Sequence, residues 1–173
     1  NFTTFELELP FTGDLLCFGD GTQSVPCPCA NNGLPGRGCD NSAATGGAWL
    51  NAIGTTTPDT LVFTCSGELP HSLSVFLQGN QNLSTPLLFG DGLRCAGGLL
   101  KRLYIKNASG GVVSAPEGAE LSVLARSAAL GDTIGAGETR YYVVYYRDPT
   151  VLGGCAATRT FNVTQTGAVS WIP

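Results

Sequence analysis

The chain has 173 residues, a formal net charge of −4 and charged side chains at only 13% of its positions, about half the share of an average soluble domain. This length predicts one domain with a sizeable buried core. Nine Lys and Arg side chains against thirteen Asp and Glu argue against binding to nucleic acid, whose phosphates attract clustered basic residues. No apolar run approaches the roughly 18–20 residues of a membrane-spanning helix. We therefore expect neither a nucleic-acid partner nor a membrane span.

The chain starts at Asn1 and contains no Met, which favours removal of a leading segment such as a secretory signal. Seven cysteines point to the same compartment, because disulfides persist outside the reducing cytosol. The sequence therefore predicts a secreted protein, located outside the cell or on its surface.

The first thirteen residues differ from the rest, and we treat them as an N-terminal extension that precedes a single domain at residues 14–173. Apolar and polar residues alternate strictly in this extension, as on a strand with one buried face. The apolar row consists of Phe5, Leu7, Leu9 and Phe11, and the polar row of Thr4, Glu6, Glu8 and Pro10. Because Pro10 has no backbone N–H, a hydrogen-bonded ladder through this strand would end near Leu9.

Two placements of this strand remain open. It could pair as the first strand of its own domain, or it could complete the sheet of a neighbouring copy, with the apolar row filling a groove there. The second arrangement resembles the donor strands of pilus subunits, in which main-chain bonds form along an open sheet edge. Repeated head to tail, such a contact does not close and therefore produces a filament.

Four of the seven cysteines fall between Cys17 and Cys39, in a stretch that is dense in Gly, Pro and Asn. A stretch with so few apolar residues needs covalent links to hold a shape, which favours disulfides. A zinc site is the alternative, although Cys-Pro-Cys replaces the usual C-x₂₋₄-C pair. Cys65 shares the strand phase of Leu61 and Phe63 and is the candidate free thiol. The disulfide candidates, whose pairing stays open, are Cys17, Cys27, Cys29, Cys39, Cys95 and Cys155.

Short β-branched and aromatic runs bounded by Gly, Pro or Asn dominate the sequence. The predicted strands are Phe5–Leu9, Ala48–Ile53, Thr60–Cys65, Leu73–Gln78, Leu99–Lys106, Glu120–Ala125, Arg140–Arg147, Arg159–Thr164 and Ala168–Ile172. The bulky run 141–146 predicts a central strand that is buried on both faces, and only residues 41–53 could hold a helical turn. This pattern predicts an all-β fold, an antiparallel β-sandwich or jelly-roll-like domain with a disulfide-stapled segment near its N-terminus.

The motif Phe-Gly-Asp-Gly occurs twice, at Phe18–Gly21 and at Phe89–Gly92. Two tight turns are the favoured interpretation, because Gly supplies a positive φ and Asp bonds its own backbone. A calcium site shared by Asp20 and Asp91 is the alternative. Calcium seeks about six to eight oxygens, and neither segment offers a second carboxylate, so we assign no metal ligand.

The sequence nominates no catalytic residue and no cofactor. His71 is the only imidazole, and no Gly-x-Ser-x-Gly elbow accompanies it, so we predict an exposed polar side chain between a loop and a strand. The carboxylates admit many pairings, and nothing in their spacing selects one. Asn82 and Asn107 begin sequons in predicted loops and are the possible glycosylation sites.

Several blocks of sequence form a wider pattern. They are Cys17-Phe-Gly-Asp-Gly, Cys27-Pro-Cys29-Ala-Asn-Asn-Gly with Gly38-Cys39-Asp-Asn-Ser42, Phe76-Leu-Gln-Gly79, Phe89-Gly-Asp-Gly-Leu-Arg-Cys95-Ala-Gly-Gly98, Tyr145-Tyr-Arg-Asp-Pro149 with Cys155, and Phe161-Asn-Val-Thr. Together they resemble a cysteine-rich secreted β-domain that is frequent in exported proteins of planctomycetes and myxobacteria-like bacteria. The resemblance covers about residues 16–171 and implies export and disulfides, but no activity. Cys65 lies outside that family's usual six cysteines, and residues 1–13 lie outside the resemblance.

These observations predict a structural protein that is a subunit of an extracellular filament or surface matrix. Its partners would be further copies of itself, joined through the apolar row of the extension. The alternative is a secreted carbohydrate-binding or adhesion module without self-assembly. In that case Trp49, Trp171 and the tyrosines would be the candidates for contact with sugar rings.

Overall fold

A computed structural model describes residues 11–150, 152 and 159–172. These residues form an antiparallel β-sandwich with one short helix in the described chain, which confirms the predicted fold class. The elements are β1 (Asp14–Leu16), β2 (Trp49–Ile53), β3 (Val62–Ser66), β4 (Leu73–Gly79), β5 (Gln81–Phe89), β6 (Gly92–Gly97), β7 (Lys101–Asn107), β8 (Val112–Ala115), α1 (Val123–Ala129), β9 (Thr139–Arg147), β10 (Phe161–Val163) and β11 (Thr166–Ser170). The predicted strand Phe5–Leu9 lies outside the described residues.

Over the described ranges, the larger sheet has the order β1-β11-β9-β4-β7. β11 and β10 pair with successive parts of β9, on the side away from β4. The smaller sheet has the order β2-β3-β8, and β5 and β6 form a separate hairpin. The larger sheet therefore ends at β1 on one side and at β7 on the other.

The main core lies between the two sheets. Tyr142, Val144 and Tyr146 of β9 point into it, and the Tyr142 ring centroid lies 4.5 Å from that of Phe63 on β3. Trp171 is 2% exposed and donates its indole N–H to the Tyr142 hydroxyl at 3.1 Å. Aromatic side chains of this size dominate the hydrophobic stabilisation of a small core.

The β5–β6 hairpin covers part of the outer face of the larger sheet. Val143 of β9, Leu77 of β4 and Val163 of β10 pack there against Ala96 of β6. The central strand β9 therefore contacts apolar side chains on both faces, which explains why its sequence is bulky at successive positions.

Residues 17–48 contain no regular helix or strand and are held by covalent bonds. Cys17 is bonded to Cys95 on β6, and Cys27 is bonded to Cys39. The expected disulfides are thus present in this segment. The zinc alternative is wrong, because disulfide sulfurs are not available as thiolate ligands. The helical turn considered for residues 41–53 does not form either.

The remaining cysteines differ in their chemical state. Cys29 is also disulfide-bonded, and Cys155 lies outside the described residues. Cys65 is a free thiol, fully buried in the main core. Its position on β3 agrees with the strand phase that the sequence indicates.

The helix is the clearest difference from the sequence prediction. The strand predicted at Glu120–Ala125 is wrong, because Val123–Ala129 form α1. The alternating pattern there resembles a strand, yet the buried residues of the element are Val123 and Ser127, at helical spacing. Gly131, with φ +80°, follows the helix, as is common after a helix end.

In the described chain, four strands lie where the sequence predicts none, namely β1, β5, β6 and β8. β5 contains Pro86, a residue that argues against a strand interior, and β1 and β8 are only three and four residues long. The second Phe-Gly-Asp-Gly motif connects β5 to β6 and is therefore a hairpin turn.

The outer edge of β2 is closed by hydrogen bonds from three other segments. Gly38 N–H donates to the Ala48 carbonyl at 2.9 Å, and Thr12 N–H donates to the Ala52 carbonyl at 2.8 Å. Between them, the Gln165 side chain accepts from Leu50 N–H at 3.0 Å and donates to Leu50 O at 2.8 Å. The amide of Gln165 therefore replaces a neighbouring strand at the centre of this edge.

We predict that Gln165→Ala destabilises the domain by about 2–5 kcal/mol, because it leaves the buried N–H and C=O of Leu50 without partners. The measurement is the free energy of unfolding in urea with the disulfides intact. Gln81→Ala, which removes an exposed amide on β5, is the matched control and should change stability by less than about 0.5 kcal/mol. Equal stability of the two variants would contradict the role given to Gln165.

Candidate functional site

The end of the N-terminal extension packs on its own domain. The Phe11 ring packs against the main core, and a Cβ added to Gly167 of β11 would lie 2.3 Å from Phe11 Cζ. Gly13 has φ +125°, and a Cβ there would lie 2.1 Å from the Ala168 carbonyl oxygen. Residues 11–13 thus contact the domain itself, and the Phe11 side chain packs on the core of its own chain. Phe5, Leu7 and Leu9 lie outside the described residues.

The chain changes sheets at Gly13. Thr12 bonds to β2 of the smaller sheet, where its hydroxyl also donates to Gly54 O at 3.1 Å, whereas residues 14–16 pair with β11 of the larger sheet. Going from Leu16 back to Thr12, the chain therefore runs toward the last residue of β2, Ile53. Because β2 ends at Ile53, it has no backbone groups further along with which residues before Phe11 could pair.

The opposite end of the larger sheet presents an edge strand, β7. Ala108 N–H donates to Ser72 O just before β4, at 2.8 Å. Because successive residues turn their backbone groups to alternate sides, Ile105 and Asn107 direct theirs away from β4. At Leu103 the outward carbonyl accepts a hydrogen bond from Arg126 Nε at 2.7 Å. No described strand pairs with this side of β7, so its second half is an open edge.

A groove runs along this open edge, and we call it the edge groove. It encloses about 370 Å³, and its lining residues are Leu103, Tyr104, Ile105, Glu120, Leu121 and Arg126. Two of its apolar side chains are unusually exposed, Ile105 at 59% and Leu121 at 49%. The Tyr104 hydroxyl donates to Leu121 O at 2.7 Å, which fixes the far wall of the groove.

An ion-pair cluster holds the segment that forms this far wall. Lys106 Nζ lies 2.6 Å from Glu117 Oε2 and 3.2 Å from Glu120 Oε2. The hydrogen bonds to these two carboxylates raise the pKa of Lys106, although partial burial acts in the opposite direction. Arg102, by contrast, is exposed and forms no ion pair with any residue in the described ranges.

A second surface lies on the part of the outer sheet face that the β5–β6 hairpin leaves uncovered. We call it the open face. It encloses about 350 Å³ and includes Leu73, Ile105, Tyr145, Arg147 and Phe161. The ring centroids of Phe161 and Tyr145 lie 5.7 Å apart. This surface combines apolar and aromatic side chains with an exposed arginine.

The aromatic residues proposed for sugar contact are mostly core residues. Trp171, Tyr142 and Tyr146 are at most 3% exposed, and Tyr104 is 5% exposed. Their burial explains their place in the sequence without a ligand. Trp49, Tyr141 and Tyr145 are the exceptions, because they are half-buried. Of these three, Tyr145 lies on the open face.

The candidate metal and catalytic residues form no site in the described part of the chain. Asp20 accepts hydrogen bonds from Thr22 N–H at 3.1 Å and Gly36 N–H at 3.0 Å, as expected of a turn. Asp91 is buried instead, and burial together with nearby Asp148 raises its pKa to about 6. No group of three or more His, Cys, Asp or Glu side chains suited to a metal occurs among the described residues. His71 is exposed, as predicted.

A buried acid and thiol lie at the end of β3. Glu68 is 2% exposed, and its Oε2 accepts hydrogen bonds from the hydroxyls of Ser72, at 2.6 Å, and Ser74. Burial raises the pKa of Glu68, while these hydrogen bonds lower it. Burial and Glu68 together raise the pKa of Cys65. A thiol held in its protonated form is a poor nucleophile, so Cys65 is a core residue and not a reactive group.

The candidate glycosylation sites are accessible. Asn82 lies in β5 and Asn107 ends β7, so neither is in a loop as predicted, yet both are exposed. Asn162 also begins a sequon, Asn-Val-Thr. Unlike Asn82 and Asn107, it is fully buried, and its side chain donates to the Asp40 carbonyl at 2.8 Å.

Comparison with protein-family models, with curated proteins and with solved structures finds no match to this chain. No helix in the described ranges has the length and apolar character needed to cross a membrane. The function therefore has to be argued from the edges and surfaces of the domain itself.

We predict that Glu68→Gln weakens the dependence of stability on pH. Since the folded-state pKa of Glu68 is raised, the folded chain holds this proton more tightly than the unfolded chain does. Its contribution to stability is complete below the unfolded pKa and is lost as pH rises through the folded pKa. Urea unfolding at about pH 4 and pH 8 measures the change. The control is Glu117→Gln, an exposed site, and parallel curves for wild type and Glu68→Gln would contradict the prediction.

Proposed function

We propose that the protein is a structural subunit of an extracellular filament or surface matrix, in which residues 5–9 of one copy pair with an open sheet edge of the next. The observation that supports this most strongly is the docking of Phe11 on the main core and of Thr12 at the end of β2. The strictly alternating row upstream, Phe5, Leu7 and Leu9, has no further stretch of β2 to pair with. A strand with one apolar face is stabilised when its backbone pairs with a sheet edge and its apolar side chains are buried against another surface.

A contact of this kind joins two different surfaces, the extension of one copy and an edge of another. Such heterologous contacts do not close by a two-fold axis and extend into a filament. Disulfides in the described segment agree with an extracellular setting. The low content of charged side chains, 13%, also suits a surface that packs against copies of itself.

We predict that Leu7→Asp abolishes assembly, because it places a charge in the apolar row that must be buried at the contact. The matched control is Thr4→Asp, which adds the same charge to the polar row. Both full-length variants should keep the wild-type thermal unfolding midpoint. Light scattering coupled to size exclusion, followed by electron microscopy, measures the mass and detects filaments.

Three outcomes would count against this function. The wild-type chain could remain monomeric at every concentration tested, or Leu7→Asp could assemble as the wild type does. Alternatively, Leu7→Asp could strongly lower the unfolding midpoint while Thr4→Asp does not. This third result would place the strand within its own domain.

The second candidate is a secreted carbohydrate-binding or adhesion module. One observation favours it, namely the open face, where Tyr145 and Phe161 lie beside the exposed Arg147. Aromatic rings that present a face to solvent can stack on sugars. Glycan binding by a strictly monomeric wild-type chain, lost in Tyr145→Ala, would favour this module over the assembly subunit.

A further inference from the structure

We propose that the edge groove is the acceptor for residues 5–9 of a neighbouring copy, with β7 as the strand to which they pair. This inference rests on the proposed function and adds the surface that receives the extension. Its occupant is a second copy of this chain.

The backbone of β7 can accept one more strand. Ile105 and Asn107 direct their N–H and C=O groups away from β4, and no described strand uses them. The open part of β7, residues 105–107, spans about 10 Å, so it can pair with three of the five residues of the extension. The competing edge at β2 is already bonded by Gly38, Gln165 and Thr12. Of these two edges, β7 is therefore the better one for addition.

The apolar side chains beside this edge match one face of the extension. Leu121, which is 49% exposed, lies across the groove from β7 on the side of the main core, where Tyr104 also points. A strand added to β7 would turn alternate side chains to that side. The row Phe5, Leu7 and Leu9 would then cover Leu121 and bury its apolar side chain.

The charges agree with the same orientation. If the apolar row faces the groove, Glu6 and Glu8 lie on the other side of the added strand. Arg102 of β7 is on that side, because the register places it opposite Leu77 of the outer face. Since Arg102 is exposed and has no ion pair in the described ranges, it can meet these carboxylates. Cross-strand pairs of opposite charge stabilise a sheet.

The first test combines two defective full-length chains. Ile105→Pro removes the outward N–H of the acceptor but leaves pairing with β4 intact, since proline is tolerated on an edge whose N–H faces solvent. The control Gln81→Ala, at an exposed position of β5 away from the edge groove, should assemble as the wild type does. Ile105→Pro alone and Leu7→Asp alone should be monomeric. Mixed in equal amounts, they should form a heterodimer of twice the monomer mass that does not grow, as measured by analytical ultracentrifugation.

The second test uses charge and remains valid if Ile105→Pro fails to fold. Arg102→Glu should raise the concentration needed for assembly by roughly threefold to tenfold, and adding Glu6→Lys and Glu8→Lys to the same chain should restore it. If Leu7→Asp blocks assembly while Ile105→Pro and Arg102→Glu assemble normally, the acceptor lies elsewhere and this inference is wrong, although the proposed function stands. If the wild-type chain never assembles, the proposed function itself is wrong.

Discussion

The structure of this domain depends on how the backbone N–H and C=O groups at its sheet edges are hydrogen-bonded. A buried edge with unpartnered N–H and C=O groups is costly, and β2 avoids that cost with a side chain. The Gln165 amide bonds both backbone groups of Leu50, while Gly38 and Thr12 complete the edge on either side. At β7 the outward carbonyl of Leu103 accepts a hydrogen bond from Arg126, and no described strand pairs with the outward groups of Ile105 and Asn107. Because β2 is closed and part of β7 is open, we propose that β7 is the edge at which copies of the chain assemble.

The disulfides of the described segment support the closed edge. The bond between Cys27 and Cys39 lies next to Gly38, which donates to β2, and the bond between Cys17 and Cys95 follows directly after β1. Each link reduces the freedom of the unfolded chain, an effect that grows with the length of the loop it closes. A segment with few apolar residues can thereby hold backbone donors in fixed positions.

The sequence predicts those strands whose hydrophobic residues follow a clear pattern along the chain. β9 is predicted well, because bulky residues at successive positions indicate burial on both faces. α1 is predicted wrongly, because a strand-like alternation overlies the helical spacing of Val123 and Ser127. The edge groove has no sequence signature, since Ile105 and Leu121 come from separate segments that meet only in the folded chain. Gln165 likewise has no local signal, because its partner Leu50 is 115 residues away.

Amide hydrogen exchange, read out by mass spectrometry on peptides from β2 and β7, tests the central claim about the two edges most directly. In the monomeric chain, the outward amides of β7, those of Ile105 and Asn107, should exchange fast and the amides of β2 slowly. On assembly, exchange in β7 should slow strongly, while β2 should not change. Equal protection of both strands in the monomer, or unchanged exchange in β7 after assembly, would contradict the account.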